Sequence, residues 1–423
     1  MPNRKRAPRM KAIEKLRLPE IGIHRLDNGI PLYEINMGTQ EVLKLEVGFL
    51  AGRPYEHKRL NARATASQLK EGALGFTSAE IAELMDFYGC TLSFPFHLDT
   101  SSLVLYSLTK HFAKAMPPVE AILEAPSFPQ TELDLYIQRG QRDLEVELSK
   151  NDVVAYREVT ERIFGADHPY GYNSTAETYA QLRREDLVAH FERLYNRNNC
   201  VAFVCGKVRP ETLSLINDCL CRAIRPGQAP SLALPPTPEQ PGKLKIERPG
   251  TLQTAIRIGR RLFNRHHPDY PGMYVLNTIL GGYFSSRLMS NIREEKGYTY
   301  NIYSSLDAMH HDGCFYIGTE VGNDFVEDTL KQIYHEMELL QQELVDEEEL
   351  TMVRNYLMGN FLTMLDGPFN VSEVVRTQAM EGLPMDYFER LVEQVQAIDA
   401  PEIQRLAQRY LSRADYWEVM VGV

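Results

Sequence analysis

EDLVAHFERLYNRNNCVAFVCGKV, residues 185–208, and PEIQRLAQRYLSRADYWEVMVGV, residues 401–423, read as one unit written twice. Each opens with apolar residues at helical spacing and closes on a run with strand character. With Tyr195 set on Tyr410, Val204 falls on Val419 and Val208 on Val423, so helix and strand stay in step without a gap. A repeat that keeps step across two elements implies duplication of a folding unit.

Working outward, PQTELDLYIQRGQRDLEVELS (129–149) and VDEEELTMVRNYLMGNFLTML (345–365) form a second, looser match. Both start acidic and continue as long amphipathic helices. LKLEVGFLAG (43–52), TLSFPFHL (91–98) and SSLVLYSL (101–108) alternate as strands. Strands interleaved with helices predict an α+β fold: two homologous α/β-sandwich-type domains with sheets covered on one face, rather than a doubly wound parallel sheet. RAIRPGQAPSLALPPTPEQPGK is Pro-rich and aperiodic, so residues 222–243 are expected to link the halves. The expected domains are then 19–221 and 244–423, preceded by a basic, disordered tail over 1–18.

Composition supports this organisation. The chain has 423 residues, 43% hydrophobic and 24% charged, which excludes disordered and collagen-like chains and a single small module. Its 46 Lys and Arg against 57 Asp and Glu leave a net charge of −11, so nucleic acid is not an expected partner. Arg4, Lys5, Arg6, Arg9 and Lys11 open the chain, but no apolar segment follows before Glu20, and no run approaches the ~18 residues of a spanning helix. A cytoplasmic protein without a membrane partner is expected. Cys90, Cys200, Cys205, Cys219, Cys221 and Cys314 include no C-x-x-C pair and are expected to be reduced, partly buried residues.

Chemistry is sought in Leu276–Leu306, which reads as helix, Gly281-Gly282 break, helix, Gly297 stop and strand. Arg293 falls in the last turn before Gly297, and Tyr298, Tyr300 and Ile302 share one face of the expected strand. A reversal at Gly297 could bring the Arg293 guanidinium and the Tyr300 phenol to one cleft, where they could bind a carbonyl or a developing oxyanion. The plainer reading is a surface Arg at a helix end beside a strand Tyr. Gly281 and Gly282 are a candidate substrate-binding loop, or simply a tight break between helices.

LDNGIPLYEI (26–35), EGALGFTSAEIAELMDFYGCTLSF (71–94), HPYGYNSTAETY (168–179), FERLYNRNNCVAFVCGKV and above all LGGYFSSRLMSNIREEKGYTYNIYS (280–304) are similar to the pitrilysin-like, or inverzincin, metallopeptidases. The resemblance covers nearly the whole chain. It implies that Arg293 and Tyr300, which have the family's spacing of seven residues, face a zinc site and hold the substrate. Active members carry H-x-x-E-H on a helix before a Gly, two imidazoles for zinc and a Glu to activate water. Counting back from Gly72 puts that motif on Arg63, Ala64, Thr65, Ala66 and Ser67, so imidazoles and base are missing. The counterpart of the family's third ligand is Glu147 or its neighbour Glu145, which alone should not hold zinc. His266-His267, His310-His311 and His335-Glu336 lack the i, i+4 spacing of a substitute site, and adjacent His on a loop are expected at the surface. His168 is expected to serve a helix-to-loop turn.

The resemblance therefore implies a subunit with no cofactor of its own, inactive alone. Its partner would be a homologous H-x-x-E-H subunit carrying zinc, and the pair would act on unfolded peptides, with Arg293 and Tyr300 completing the composite site. The isolated chain could form a homodimer. The competing expectation is a structural or peptide-recognition subunit without a role in hydrolysis.

Overall fold

The computed structural model describes residues 15–236 and 240–422. The first half runs β1 (Gly22–Arg25), β2 (Pro31–Asn36), β3 (Val42–Phe49), α1 (Asn61–Gln68), β4 (Gly72–Ala73) and β5 (Phe76–Thr77). It continues through α2 (Ser78–Tyr88), β6 (Thr91–Ser93), β7 (Ser101–Leu108), α3 (Phe112–Glu124), α4 (Gln130–Leu148) and α5 (Asn151–Phe164). α6 (Ala176–Ala180), α7 (Arg184–Leu194), β8 (Cys200–Gly206) and α8 (Pro210–Ala223) complete it. The second half runs β9 (Lys243–Glu247), β10 (Gln253–Leu262), α9 (Tyr270–Asn277), two π-helical turns (Thr278–Gly282 and Met289–Glu295), β11 (Ile302–Ala308) and β12 (Gly313–Gly322). It ends with α10 (Val326–Gln342), α11 (Glu347–Met364), α12 (Gly367–Met380), α13 (Tyr387–Ala397), α14 (Ala400–Tyr410) and β13 (Trp417–Gly422).

The larger sheet has the order β1-β2-β8-β3-β7-β6, and the second sheet β11-β12-β10-β13-β9. Read from its other edge, the second is β9-β13-β10-β12-β11, which matches β2-β8-β3-β7-β6 strand for strand. The parallel pair of each sheet, β2 with β8 and β9 with β13, lies at the same place. The α+β fold is therefore built twice, and α7–β8 and α14–β13 are the repeated unit visible in the sequence.

Each sheet packs its own half's helices on one face. Leu43, Leu45 and Val47 join Leu103, Leu105 and Val204 in the first core, and Ile256, Ile258, Phe315 and Ile317 enter the second. The opposite faces are covered too, and this corrects the expectation of sheets covered on one face. α12 of the second half lies across β8 and β2, while α5 of the first half lies across β10 and β13. Val371, Val375 and Met380 of α12 pack on Ile35, Phe203 and Cys205; Val159, Ile163 and Phe164 of α5 pack with Ala255, Tyr316, Val419 and Val421.

The expectation failed because the covered face of β3 carries charges. Lys44 and Glu46 alternate with leucines as solvent-facing residues would, yet they are only 1% and 2% exposed. Lys44 Nζ lies 2.9 Å from Glu46 Oε2 and also meets Glu373, and Arg376 Nε donates to Glu46 Oε1 at 2.6 Å. Burial works to raise the Glu46 carboxyl, but the Lys44 and Arg376 charges hold it below its ordinary value. Glycines let the exchanged helices approach: a Cβ at Gly48 would lie 3.2 Å from Met380 Sδ, and one at Gly259 2.9 Å from Ile163 Cδ1.

α8 ends at Ala223 and β9 starts at Lys243; the described residues between them, 224–236 and 240–242, form neither helix nor strand. Of the basic tail, residues 1–14 lie outside the described residues. Leu16, also placed in the tail, is buried in the second core, and the Leu18 N–H donates to Glu389 Oε1 at 2.8 Å. Among the described residues no helix is long and apolar enough to cross a membrane.

Glu46→Ala leaves Lys44 and Arg376 buried without their shared carboxylate, and denaturant unfolding should show a loss of about 3–5 kcal/mol. Replacing all three charged residues by Met or Leu should restore most of that loss, because the cost lies in the unpaired charge. A small effect of Glu46→Ala would mean that water reaches this face.

Candidate functional site

α1 forms where the degenerate motif lies, and it starts under constraint. Leu60 at its N-cap has φ +71°, a left-handed conformation that costs a branched residue roughly 1–2 kcal/mol. Burial of its side chain and a 3.3 Å bond from its N–H to the Tyr172 hydroxyl oxygen hold it there. Arg63 and Ser67, one turn apart, both wall a cleft of about 480 Å³, whereas Ala66, in the position of the general base, is fully buried. Glu147 lines the same cleft, so the structure brings the three together. Glu145 opens instead onto a neighbouring cleft with Gln141 and Arg142.

These residues do not fit zinc. A guanidinium is no ligand, Ala66 offers no donor, Ser67 is a neutral hydroxyl, and Glu147 is paired with Lys150 at 2.9 Å. The cleft is instead charge-compensated, with Arg63, Lys70, Arg139 and Arg157 facing Glu71, Glu132, Asp143 and Glu147. Among the described residues no group of three His, Cys, Asp or Glu is placed to hold a metal ion.

Sequence reading missed a second cavity beside this one, about 730 Å³, which shares Arg63, Arg157 and Ser174 with the cleft. Its other walls include Arg53, Phe96, Tyr156, Tyr170 and Tyr172. HPYGYNS supplies four lining residues, Tyr170, Tyr172, Asn173 and Ser174, and was the available signal. His168 is buried, stacks on Phe164 and accepts the Tyr170 N–H at 3.1 Å. Tyr172 lies under the Arg53 guanidinium, 3.7 Å from it, and donates its hydroxyl to Glu56. Glu56 also accepts the Ala62 N–H at 3.0 Å, and burial pushes its carboxyl up to about 7 against these bonds.

The duplication places a counterpart cleft in the second half, between α9, α11 and α12. It measures about 640 Å³ and is lined by Tyr270, Tyr274, Phe361 and Phe388, apolar where the first is charged.

Arg293 lies in the second π-helical turn, and Tyr300 in the loop between that turn and β11. The Arg293 guanidinium sits 4.6 Å above the Phe284 ring, and Tyr300 is 92% exposed. The expected strand face is corrected here: β11 begins only at Ile302, which is buried, so Tyr298, Tyr300 and Ile302 do not share a face. The reason lies in the side chains of Tyr298 and Thr299. Tyr298 stacks on Phe325 at 4.5 Å and donates to Asp328, while Thr299 Oγ1 donates to the Glu320 carbonyl at 2.7 Å, drawing 298–301 out of strand geometry. Arg287 is engaged within the chain by two bonds to Glu349, at 2.9 and 2.7 Å. Gly281 has a packing reason, since a Cβ there would lie 2.5 Å from the Ser304 nitrogen; Gly282 is exposed.

Of the adjacent histidines, His266 is exposed as expected, while His310 and His311 depart from expectation. The His310 N–H donates to Asp99 at 3.0 Å and His311 meets the Tyr55 hydroxyl at 2.7 Å, so this pair is half-buried between the halves.

Residues 181–357 match the family model described as Peptidase M16 inactive domain. A protein of Helicobacter pylori named a non-peptidase homolog is 23% identical over 81% of this chain and 79% of its own length. An uncharacterized zinc protease of Mycobacterium bovis is 24% identical over 59% of this chain; the match spans only 58% of that relative's length. The crystal structure of a peptidase M16 inactive domain from Pseudomonas fluorescens superposes with a TM-score of 0.88 at 22% identity, covering 96% of this chain and 98% of that one.

Glu56 sets a pH dependence. An acid held higher in the folded chain than in the unfolded one opposes folding as it ionises, so the penalty is absent below about 4.5 and complete above about 7. Glu56→Gln should therefore raise the thermal midpoint relative to the parent chain at about pH 8, by at most about 3 kcal/mol in stability, with the two converging near pH 4. Parallel curves at all pH values would show that the carboxyl titrates normally.

Proposed function

Because the chain is a pitrilysin-like protein of the zinc-less kind, we propose that it is the non-zinc subunit of a two-subunit metalloendopeptidase, and that it lends Arg293 and Tyr300 to a homologous H-x-x-E-H partner. Tyr300 carries this reading. A phenol 92% exposed contributes nothing to its own core, while its neighbour Tyr298 is bonded and stacked within the chain. Arg293 is likewise held by an exposed ring, that of Phe284, rather than by a carboxylate. Such a pair is free to meet a substrate.

In this reading the zinc chemistry belongs to the partner. Arg293 positions the backbone of an extended, unfolded peptide, and the Tyr300 hydroxyl donates to the oxygen on which negative charge develops. The cation–π contact on Phe284 limits the reach of the guanidinium, so that fewer rotamers are lost when substrate binds. Gly282, exposed and without a side chain, lets a peptide pass close to the backbone. We place the assembly in the cytoplasm and expect the isolated chain to be inactive, with homodimer formation open to it.

A second reading is a recognition or structural subunit that takes no part in hydrolysis. The name of the Helicobacter relative, a non-peptidase homolog, favours it. The two readings part on one assay. Peptide hydrolysis should appear only when the chain is mixed with an H-x-x-E-H homologue of the same organism. Arg293→Ala or Tyr300→Phe should then reduce it by roughly 10²-fold or more. Activity indifferent to both substitutions would establish the recognition reading.

A further inference from the structure

The cavity beside the degenerate motif is walled by three arginines, Arg53, Arg63 and Arg157, and by no carboxylate. None of the three forms a salt bridge among the described residues, unlike Arg222, Arg265 and Arg376. Arg53 donates to the Tyr172 carbonyl and leaves its buried Nε without a partner. Arg157 donates to the Ser174 carbonyl at 2.5 Å. The acids that act on Arg53 and Arg157 have other partners: Glu158 pairs with Arg162 at 3.7 Å, Glu161 accepts from Asn173 at 2.8 Å, and Glu56 accepts from Tyr172 and Ala62.

Guanidiniums that wall one cavity, none of them tied into a salt bridge, favour an anion there even though Arg63 and Arg157 also border the mixed-charge cleft, and their planar forks match a carboxylate through paired bonds. The remaining walls narrow the class. Phe96, Tyr156, Tyr170 and Tyr172 offer aromatic surface for an apolar side chain next to that anion. About 730 Å³ holds a few residues rather than a lone ion.

We infer that this cavity binds the free C-terminal carboxylate of a peptide, with Arg53, Arg63 and Arg157 on the carboxylate and the aromatic walls around the terminal side chain. The inference rests on the reading of the chain as a peptide-binding protein. It gives the half that lost the metal motif a use of its own: Arg63, in the first motif position, addresses the end of a peptide rather than a bond within it.

The test uses the full chain and a fluorescent peptide of about four residues with a terminal Phe, as free acid and as C-terminal amide, followed by anisotropy. The acid should bind at least about 10-fold more tightly than the amide. Arg63→Gln and Arg157→Gln should each weaken the acid by about 10-fold and leave the amide unchanged. Arg63 is exposed and unpaired, so Arg63→Gln remains informative even if the half-buried Arg157→Gln chain unfolds, which a thermal melt would reveal. Equal binding of acid and amide, or acid binding indifferent to Arg63→Gln, would overturn the carboxylate site and leave peptide binding standing. Binding of neither peptide would overturn both. Displacement of the acid by inorganic phosphate at lower concentration than by unlabelled peptide would overturn the peptide assignment in favour of a phosphate ligand.

Discussion

Everything in this molecule depends on an exchange of helices between its two halves. α12 closes the first sheet and α5 closes the second, so neither half owns a complete interior. The two contacts are not interchangeable. α12 reaches β3 through Arg376 and Glu373, which meet the buried Glu46 and Lys44, whereas α5 meets β10 through Val159 and Ile163 over Gly259. Putting α5 against β3 would strand two buried charges, at a cost of several kcal/mol. Charge thus specifies which helix goes where, even if an apolar contact of equal volume would bind as well.

The cavity of three arginines is built wholly from the first half. α5 carries Arg157 into the cavity from one side while α1 carries Arg63 from the other, and the turn after α5 adds Tyr170 and Tyr172. One architecture then supports two chemistries, charged between α1 and α4 and aromatic between α9 and α11.

Much of this was legible beforehand. The duplication showed in Tyr195 and Tyr410 because helix-to-strand units keep their apolar spacing, and α4 and α11 run where their acidic starts and periodic patterns put them. The loss of the metal motif is a matter of residue identity and needs no coordinates. Other features were hidden for physical reasons. Lys44 and Glu46 imitate a wet strand face, and only a helix more than three hundred residues away reveals them as buried. Tyr300 left the strand because the side chains of Tyr298 and Thr299 bind distant elements. Arg53 and Arg157 sit far apart in sequence and share a cavity only through the fold.

The exchanged helices also impose a schedule. Lys44 waits for Glu373, 329 positions further on, and Glu46 for Arg376, 330 positions further on. A ribosome emitting about 5–20 residues per second leaves the first sheet half covered for tens of seconds, its apolar Phe203 and Val375 partners not yet in the same compartment of the chain. Loop closure over such a distance adds little to the equilibrium cost, which grows only with the logarithm of length. It weighs on the rate, because native contacts of such long range are slow to find. The nascent first half is thus an open sheet with a face awaiting its cover, the form most exposed to capture by chaperones or to premature pairing with another chain.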